Sequence, residues 1–343
     1  MMAENIQQPS TPSSPAPGSP GATHQRAGSV TAVVLRDLRY VAAMLATGMI
    51  FFWIAGKFLP SPDVYGASVL AQGPAAGFNP ELAMLVGLFV CLLVGLLITF
   101  PDTPHAGLFC TTVGLIAIAV YWGKTQDLFL AYTSFSNPDA ASACRVLAVQ
   151  DLFWIFFILA GELFTTVLSR WFSDRMNWPE LLGLPWLGGE HELAPYPRCA
   201  IVLVWGRQAR GRWWVGDLAA DICGFLVTGV VATGVLYLLL QSQLPGQIIF
   251  ALIAAFAIGA FAAGMIVPGA SNWAIWTAVP AVAGVGYLIA GAITPAYPGQ
   301  ASFFLARALP IYYASAGWAG AIIGFYSAIR VHYRMRLDEH PVA

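Results

Sequence analysis

Long apolar segments are the feature that most constrains how this chain can fold. About 20 helical residues cross the roughly 30 Å of hydrocarbon in a bilayer. In lipid every backbone donor and acceptor must be paired within the segment, which favours helices over the short alternating strands of a barrel. The sequence therefore predicts an all-α fold, a polytopic transmembrane helical bundle of about eight spans. The apolar segments are 40–59, 82–100, 106–122, 146–168, 218–240, 248–267, 273–293 and 311–329.

The composition agrees with lipid as the solvent of these segments. Apolar residues make up 58% of the 343 residues and charged residues only 10%, whereas soluble domains are about half apolar and about a quarter charged. A formal net charge of -1 lacks the strong basic field of nucleic-acid-binding proteins, so no nucleic-acid partner is expected. The five cysteines form no CxxC pair, and we expect neither a disulfide framework nor a metal site.

The placement of Lys and Arg between the segments predicts the orientation. With the N-terminus in the cytoplasm, twelve of the 16 basic residues lie on the cytoplasmic side. Lys57, Lys124, Arg145 and Arg307 lie outside. Cytoplasmic loops of membrane proteins carry an excess of Lys and Arg. We therefore expect a multi-pass protein of the cell membrane with a cytoplasmic N-terminus and C-terminus.

The spacing of the segments suggests two units of four spans. In each unit a short turn that begins with proline, at Pro101 and at Pro268, follows the second span. Two units with an even number of spans are parallel and related by an axis along the membrane normal; a chance likeness is the alternative. The predicted divisions are a disordered cytoplasmic tail (1–30), a first four-span unit (31–168), a cytoplasmic Trp/Arg-rich interfacial loop (169–217), a second four-span unit (218–336) and a cytoplasmic tail (337–343).

Small residues spaced by four predict where helices approach each other closely. Residues four apart lie on the same face of a helix, and a face without large side chains lets two backbones come together in a membrane. The predicted helix-packing residues are Gly87 and Gly95 in the first unit, and Ala255, Gly259, Ala263, Gly320 and Gly324 in the second.

The loop at 169–217 has the composition of a membrane-interface segment. It holds six of the twelve tryptophans, and several stand close to arginines. Trp favours the headgroup level, and Arg is attracted to anionic lipids. We expect contact with anionic lipid headgroups of the bilayer, with a docking surface for another protein as the alternative. The predicted lipid-interface residues are Arg207, Arg210, Arg212, Trp213 and Trp214.

Two carboxylic acids in the fourth segment are the best candidates for a functional site. Asp151 and Glu162 are eleven residues apart, which places them on one helix face about 16 Å apart along the axis. Gln150, Thr165 and Thr166 extend this polar stripe. Ionisable groups inside a membrane are costly and usually functional, so the stripe indicates a transport or proton-relay site. The alternative is that it serves helix packing.

Other polar residues have simpler interpretations. Asp217 and Asp221, at the predicted start of the fifth span, suit the positive end of a helix. Pro310 is expected to kink the last helix between an outer piece that carries Arg307 and the span itself.

The sequence favours a small-solute or ion carrier, because only that function gives the buried acids a role. A non-catalytic membrane subunit or scaffold, packed against a membrane-protein partner or a second copy of itself, is the main alternative. A lipid-modifying enzyme is a third possibility. The sequence contains no GxSxG, P-loop or HExxH motif, so no catalytic residue and no cofactor are predicted.

Overall fold

The computed structural model describes residues 20–58, 80–99, 104–122, 140–175, 215–267, 269–293 and 303–339, and the structural statements below refer to these residues. Within them the chain is all α-helical apart from short turns. The helices are α1 (Pro20–Phe58), α2 (Pro80–Thr99), α3 (Pro104–Trp122), α4 (Ala140–Arg175), α5 (Val215–Leu239), α6 (Pro245–Ile266), α7 (Asn272–Ala292) and α8, which consists of Pro310–Tyr312, a π-helical turn at Tyr313–Gly317, and Trp318–Glu339.

Four of the described helices are long and apolar enough to cross a membrane. These segments are Asp37–Ile54 in α1, Leu218–Leu239 in α5, and the whole of α6 and α7. Shorter apolar stretches of described residues lie in α2, α3 and α4. The prediction of an all-helical fold with apolar helices long enough to cross a membrane is confirmed for these four helices.

Proline marks the start of several helices. Pro80, Pro104, Pro245 and Pro310 are the first residues of α2, α3, α6 and α8. The first helical N–H has no intrahelical acceptor, so proline costs nothing there, and its fixed φ favours the helix.

The prediction that Pro310 kinks a continuous helix is wrong. A separate 3₁₀ turn, Phe304–Arg307, precedes it, and Leu309 has an extended backbone with φ -79° and ψ 161°. The ring of a proline clashes with a helical conformation of the residue before it. The chain therefore leaves the 3₁₀ turn in extended form and begins α8 at Pro310.

The predicted boundaries of the tail and of the units differ from the helix ends. α1 begins at Pro20, so residues 20–30 are helical although the sequence predicts disorder for them. No proline follows Pro20 in this stretch, so nothing interrupts the helix. α4 continues to Arg175, past the predicted end of the first unit, and α8 continues to Glu339. Residues 1–19 and most of the loop at 169–217 lie outside the described residues.

The two groups of four helices share one hydrophobic core. In the first group α1 packs against both α2 and α3, and in the second α5 packs against both α6 and α7. α6 also packs along α8, where Gly320 faces the backbone of Ile253 and Gly324 faces that of Ala257. The groups meet where α4 packs against α7 and where α8 packs against α3.

Candidate functional site

Asp151 lies on α4 where this helix packs against α7. Only 3% of its surface is exposed. A Cβ atom added to Gly284 of α7 would lie 3.2 Å from Asp151 Oδ2, so the carboxylate sits against a stretch of α7 that has no side chain. None of the described residues forms a hydrogen bond with Asp151 Oδ1. A buried polar atom without a partner is expensive, which makes this position the strongest candidate for a site.

Two tyrosines complete the surroundings of Asp151. Tyr287 on α7 and Tyr313 at the start of the π-helical turn of α8 are buried, and both lie within electrostatic range of Asp151. Their rings meet edge to face with centroids 6.4 Å apart. We refer to Asp151, Gly284, Tyr287 and Tyr313 as the Asp151 site.

Both tyrosine hydroxyl groups are held by the segment before α8. The Tyr287 hydroxyl donates to the carbonyl oxygen of Ala308 at 2.8 Å, and the Tyr313 hydroxyl donates to that of Leu305 at 2.9 Å. These bonds tie the 3₁₀ turn and its extended exit to α7 and α8. Both hydroxyl protons are engaged in these bonds.

Of the other residues in the predicted polar stripe, the structure describes the side chain of Gln150. Gln150 is buried with 7% of its surface exposed, and its Nε2 has no hydrogen-bond acceptor among the described residues. Glu162, Thr165 and Thr166 lie on the same helix, but their side chains are outside the described residues. The common face of Asp151 and Glu162 therefore stays a prediction.

The predicted lipid-interface residues all lie outside the described residues. Their contact with anionic headgroups stays a prediction. They are Arg207, Arg210, Arg212, Trp213 and Trp214.

The predicted packing residues are all buried within the described bundle. In α2, Gly95 approaches Gly107 of α3, where a Cβ atom would lie 2.9 Å from the Gly107 carbonyl oxygen, while Gly87 faces the Ile54 side chain of α1. In α6, a Cβ atom at Gly259 would lie 2.7 Å from the carbonyl oxygen of Thr228 in α5. The buried set comprises Gly87, Gly95, Ala255, Gly259, Ala263, Gly320 and Gly324.

Asp221 has a structural role that its sequence position only partly indicates. Its Oδ1 accepts a hydrogen bond of 2.8 Å from the backbone N–H of Ser271, the residue that precedes α7. The carboxylate of α5 thus satisfies a backbone donor at the start of a different helix, where negative charge is favourable. Asp217 has a helical backbone in α5, and its side chain is outside the described residues.

Sequence reasoning missed Gly284, Tyr287 and Tyr313. Each stands in an apolar segment, where glycine and tyrosine are common, and only tertiary packing brings them to Asp151. The π-helical turn has no sequence signal of its own, although such turns occur often at functional sites.

No protein-family model matches this chain. No curated protein and no solved structure matches it either.

Proposed function

We propose that all eight helices cross the membrane and form two parallel halves, α1–α4 and α5–α8. Equivalent contacts in the two groups support this arrangement. Thr47 of α1 and Thr228 of α5 are both fully buried, and each hydroxyl donates to the carbonyl oxygen four residues earlier, at 2.9 and 2.8 Å. The carbonyl oxygen of Thr47 contacts Cys91 Sγ at 3.7 Å. That of Thr228 faces Gly259, which stands at the matching place in the small-residue series of α6.

A second pair of contacts repeats with the same spacing. Gly48, next to Thr47, faces Gly114 of α3, and Gly229, next to Thr228, faces Val282 of α7. Gly114 follows Cys91 by the same number of positions as Val282 follows Gly259. Matching registers in three helices are expected for an internal repeat and are difficult to obtain by chance.

The contacts between the groups support a two-fold relation. α4 of the first group packs against α7, the third helix of the second group, while α8 packs against α3, the third helix of the first. A rotation by about 180° about the membrane normal would exchange these two contacts. Together with the distribution of Lys and Arg, this supports the proposal that both termini lie in the cytoplasm of a multi-pass protein.

We further propose that the protein is a carrier for a small solute or ion, and that transport depends on Asp151. The observation that carries this proposal is a carboxylate that is 3% exposed, has an unpartnered Oδ1 and lies at the contact between the two groups. Helix packing alone gives no reason to keep such a group, because an apolar residue there avoids the desolvation cost. Transporters often bind solutes or ions near the interface between their repeats.

A scaffold function has less support from the packing. Its docking faces would be the small-residue series of α6 and α8, but these faces already contact each other within the chain, at Gly320 and Gly324. In the described part of the chain, these small-residue faces of α6 and α8 are therefore covered by each other and are not open to a partner helix.

Flux measurements on proteoliposomes test the carrier proposal. The full chain is reconstituted and assayed with a panel of ions and small solutes under an imposed pH gradient. Wild type and the control Asp37→Asn, which alters an exposed carboxylate of α1, should transport a member of the panel. Asp151→Asn should fold, since the amide is nearly isosteric, and lose that flux. Unchanged flux in Asp151→Asn, or no flux of any panel member in wild type, would contradict the proposal.

A further inference from the structure

The space around Asp151 restricts which cation can bind there. Oδ2 lies against the backbone of α7 at Gly284, where even a single Cβ atom would come within 3.2 Å. A metal cation retains or replaces a shell of several oxygen ligands and needs room for them. Among the described residues, no group of three or more His, Cys, Asp and Glu side chains is placed to hold a metal ion. A proton needs neither a ligand shell nor a cavity.

The hydrogen bonds of the neighbouring tyrosines point to the same cation. Because the hydroxyls of Tyr287 and Tyr313 donate to backbone carbonyl oxygens, they do not supply hydrogen bonds to the carboxylate of Asp151. A charged carboxylate in apolar surroundings is stabilised chiefly by such donors or by a cation. Proton binding forms an O–H bond at the carboxyl group and removes the charge that these donors would otherwise have to stabilise.

The titratable groups around Asp151 are phenols and thiols. In α2 and α3 the thiols are turned toward α1, where they contact the carbonyl oxygens of Thr47 and Tyr40. Unperturbed phenols and thiols titrate at about pH 10 and about pH 8.5. Asp151 is thus the carboxyl group among the described residues that face this site. The buried titratable side chains described on α4 and on the helices packed against it are Cys144 on α4, Tyr287 on α7, Tyr312 and Tyr313 on α8, Cys91 on α2 and Cys110 on α3.

The site lies where a change of charge can act on the contact between halves. α4 carries Asp151, α7 carries Gly284 and Tyr287, and α8 presents the π-helical turn that begins at Tyr313. That turn also packs against α3 and α6. A charge added or removed at Asp151 is therefore felt by helices of both groups.

We propose that Asp151 binds and releases a proton during each transport cycle, so that the solute crosses the membrane together with a proton; this inference rests on the proposed carrier function. On one side a proton leaves a hydronium ion and forms an O–H bond at Asp151 Oδ1, which neutralises the carboxylate. On the other side that bond breaks, the proton returns to water, and the carboxylate is restored. No oxidation or reduction accompanies the step.

Infrared difference spectroscopy on the full chain in liposomes tests proton binding without a known solute. Spectra are compared between about pH 9 and about pH 2, a range that spans the ordinary pKa values of Asp and Glu, about 3.9 and about 4.3. Wild type and Asp37→Asn should share a pH-dependent C=O band of a protonated, buried carboxyl group. Asp151→Asn should lack that band. Asp151→Glu, which keeps a carboxyl group, should restore a band at a shifted frequency.

Three results would overturn the proposal: persistence of the full band in Asp151→Asn, its absence in wild type, or a carboxylate signal that responds to Na⁺ at constant pH. If Asp151→Asn does not fold, absence of a band in both wild type and Asp151→Glu decides against proton binding. A band that depends on Asp151 without flux of any solute would refute the carrier function and leave proton binding intact. Flux that depends on Asp151 but not on the pH gradient would refute the coupling to a proton and leave the carrier function intact.

Discussion

Replacing Gly320 with alanine tests whether α6 and α8 are in backbone contact. A Cβ atom at Gly320 would lie 2.5 Å from the carbonyl oxygen of Ile253, 2.9 Å from its Cα and 3.1 Å from its carbonyl carbon. Ordinary van der Waals contact begins at 3.4 Å. All three atoms belong to the backbone of α6, so no side-chain rotation can relieve the overlap.

The expected loss of stability follows from this overlap. The two backbones must separate locally by about 0.9 Å. Overpacking of this kind costs about 1 to 3 kcal/mol, and a gap of 0.5 to 1 Å elsewhere along the contact forfeits roughly a quarter to a half of each attraction. Alanine has the higher helix propensity, which stabilises the helix by about 1 kcal/mol relative to glycine and offsets part of this cost. The net change in the free energy of unfolding should be a loss of about 1 to 2 kcal/mol.

Gly234→Ala provides the matched control. It makes the same substitution on α5, where no atom that would meet the new Cβ lies within 4 Å, so only the helix-propensity gain remains. Thermal unfolding in detergent can be followed with a fluorescent dye that reacts with thiols as they become exposed. The buried thiols that report unfolding are Cys91, Cys110 and Cys144. Cys199 and Cys223 are replaced by serine. Gly320→Ala should melt several degrees below Gly234→Ala, and equal melting temperatures would refute the backbone contact.

Four further predictions have separate measurements. Cysteine-accessibility labelling should place Arg207 on the cytoplasmic side, and labelling from outside would refute the topology. Gly259→Leu should lower the folded yield, because the side chain meets the α5 backbone; full stability would mean that this face looks toward lipid. Asp221→Ala leaves the Ser271 N–H without its acceptor and should lower the free energy of unfolding by about 1 to 3 kcal/mol. Asp221→Asn keeps an acceptor oxygen and should lower it by less. Equal losses of the two variants in chemical denaturation would contradict the role of that hydrogen bond. Glu162→Gln should keep the fold and abolish proton- or cation-coupled flux if the polar stripe extends to it; unchanged flux in proteoliposomes would remove Glu162 from the site.

The helix positions could be predicted closely because their ends follow local chemistry. The segments predicted at 82–100, 106–122 and 273–293 correspond to α2, α3 and α7, with ends that differ by at most two residues. Hydrophobic length and terminal prolines act within one segment, so the sequence carries them directly. The polar start of α1 at Pro20 has no such signal, since residues 20–36 contain no long apolar run.

Of the residues in the candidate site, only Asp151 could be predicted from the sequence. Asp151 stands out in the sequence because a carboxylate in an apolar segment needs a reason. Gly284 and Tyr287 do not stand out, because their role depends on the register in which α7 packs against α4. The turn before α8 shows the same limit. Proline is compatible with a continuous helix, as at Pro280 inside α7, so Pro310 alone does not reveal that the chain leaves the helix before it, where the carbonyl oxygens of Leu305 and Ala308 accept hydrogen bonds from the two tyrosines.

The π-helical turn of α8 sets the rotation of everything that follows it. A π-helical turn accommodates an extra residue in a helix, and one residue corresponds to about 100° of rotation about the axis. The turn therefore lets a single helix present Tyr313 toward Asp151 and, about two and about three turns later, Gly320 and Gly324 toward α6. A regular α-helix of the same sequence would turn Gly320 and Gly324 away from α6 by about 100°, whereas deleting one residue within 313–317 would let a regular α-helix keep their rotation.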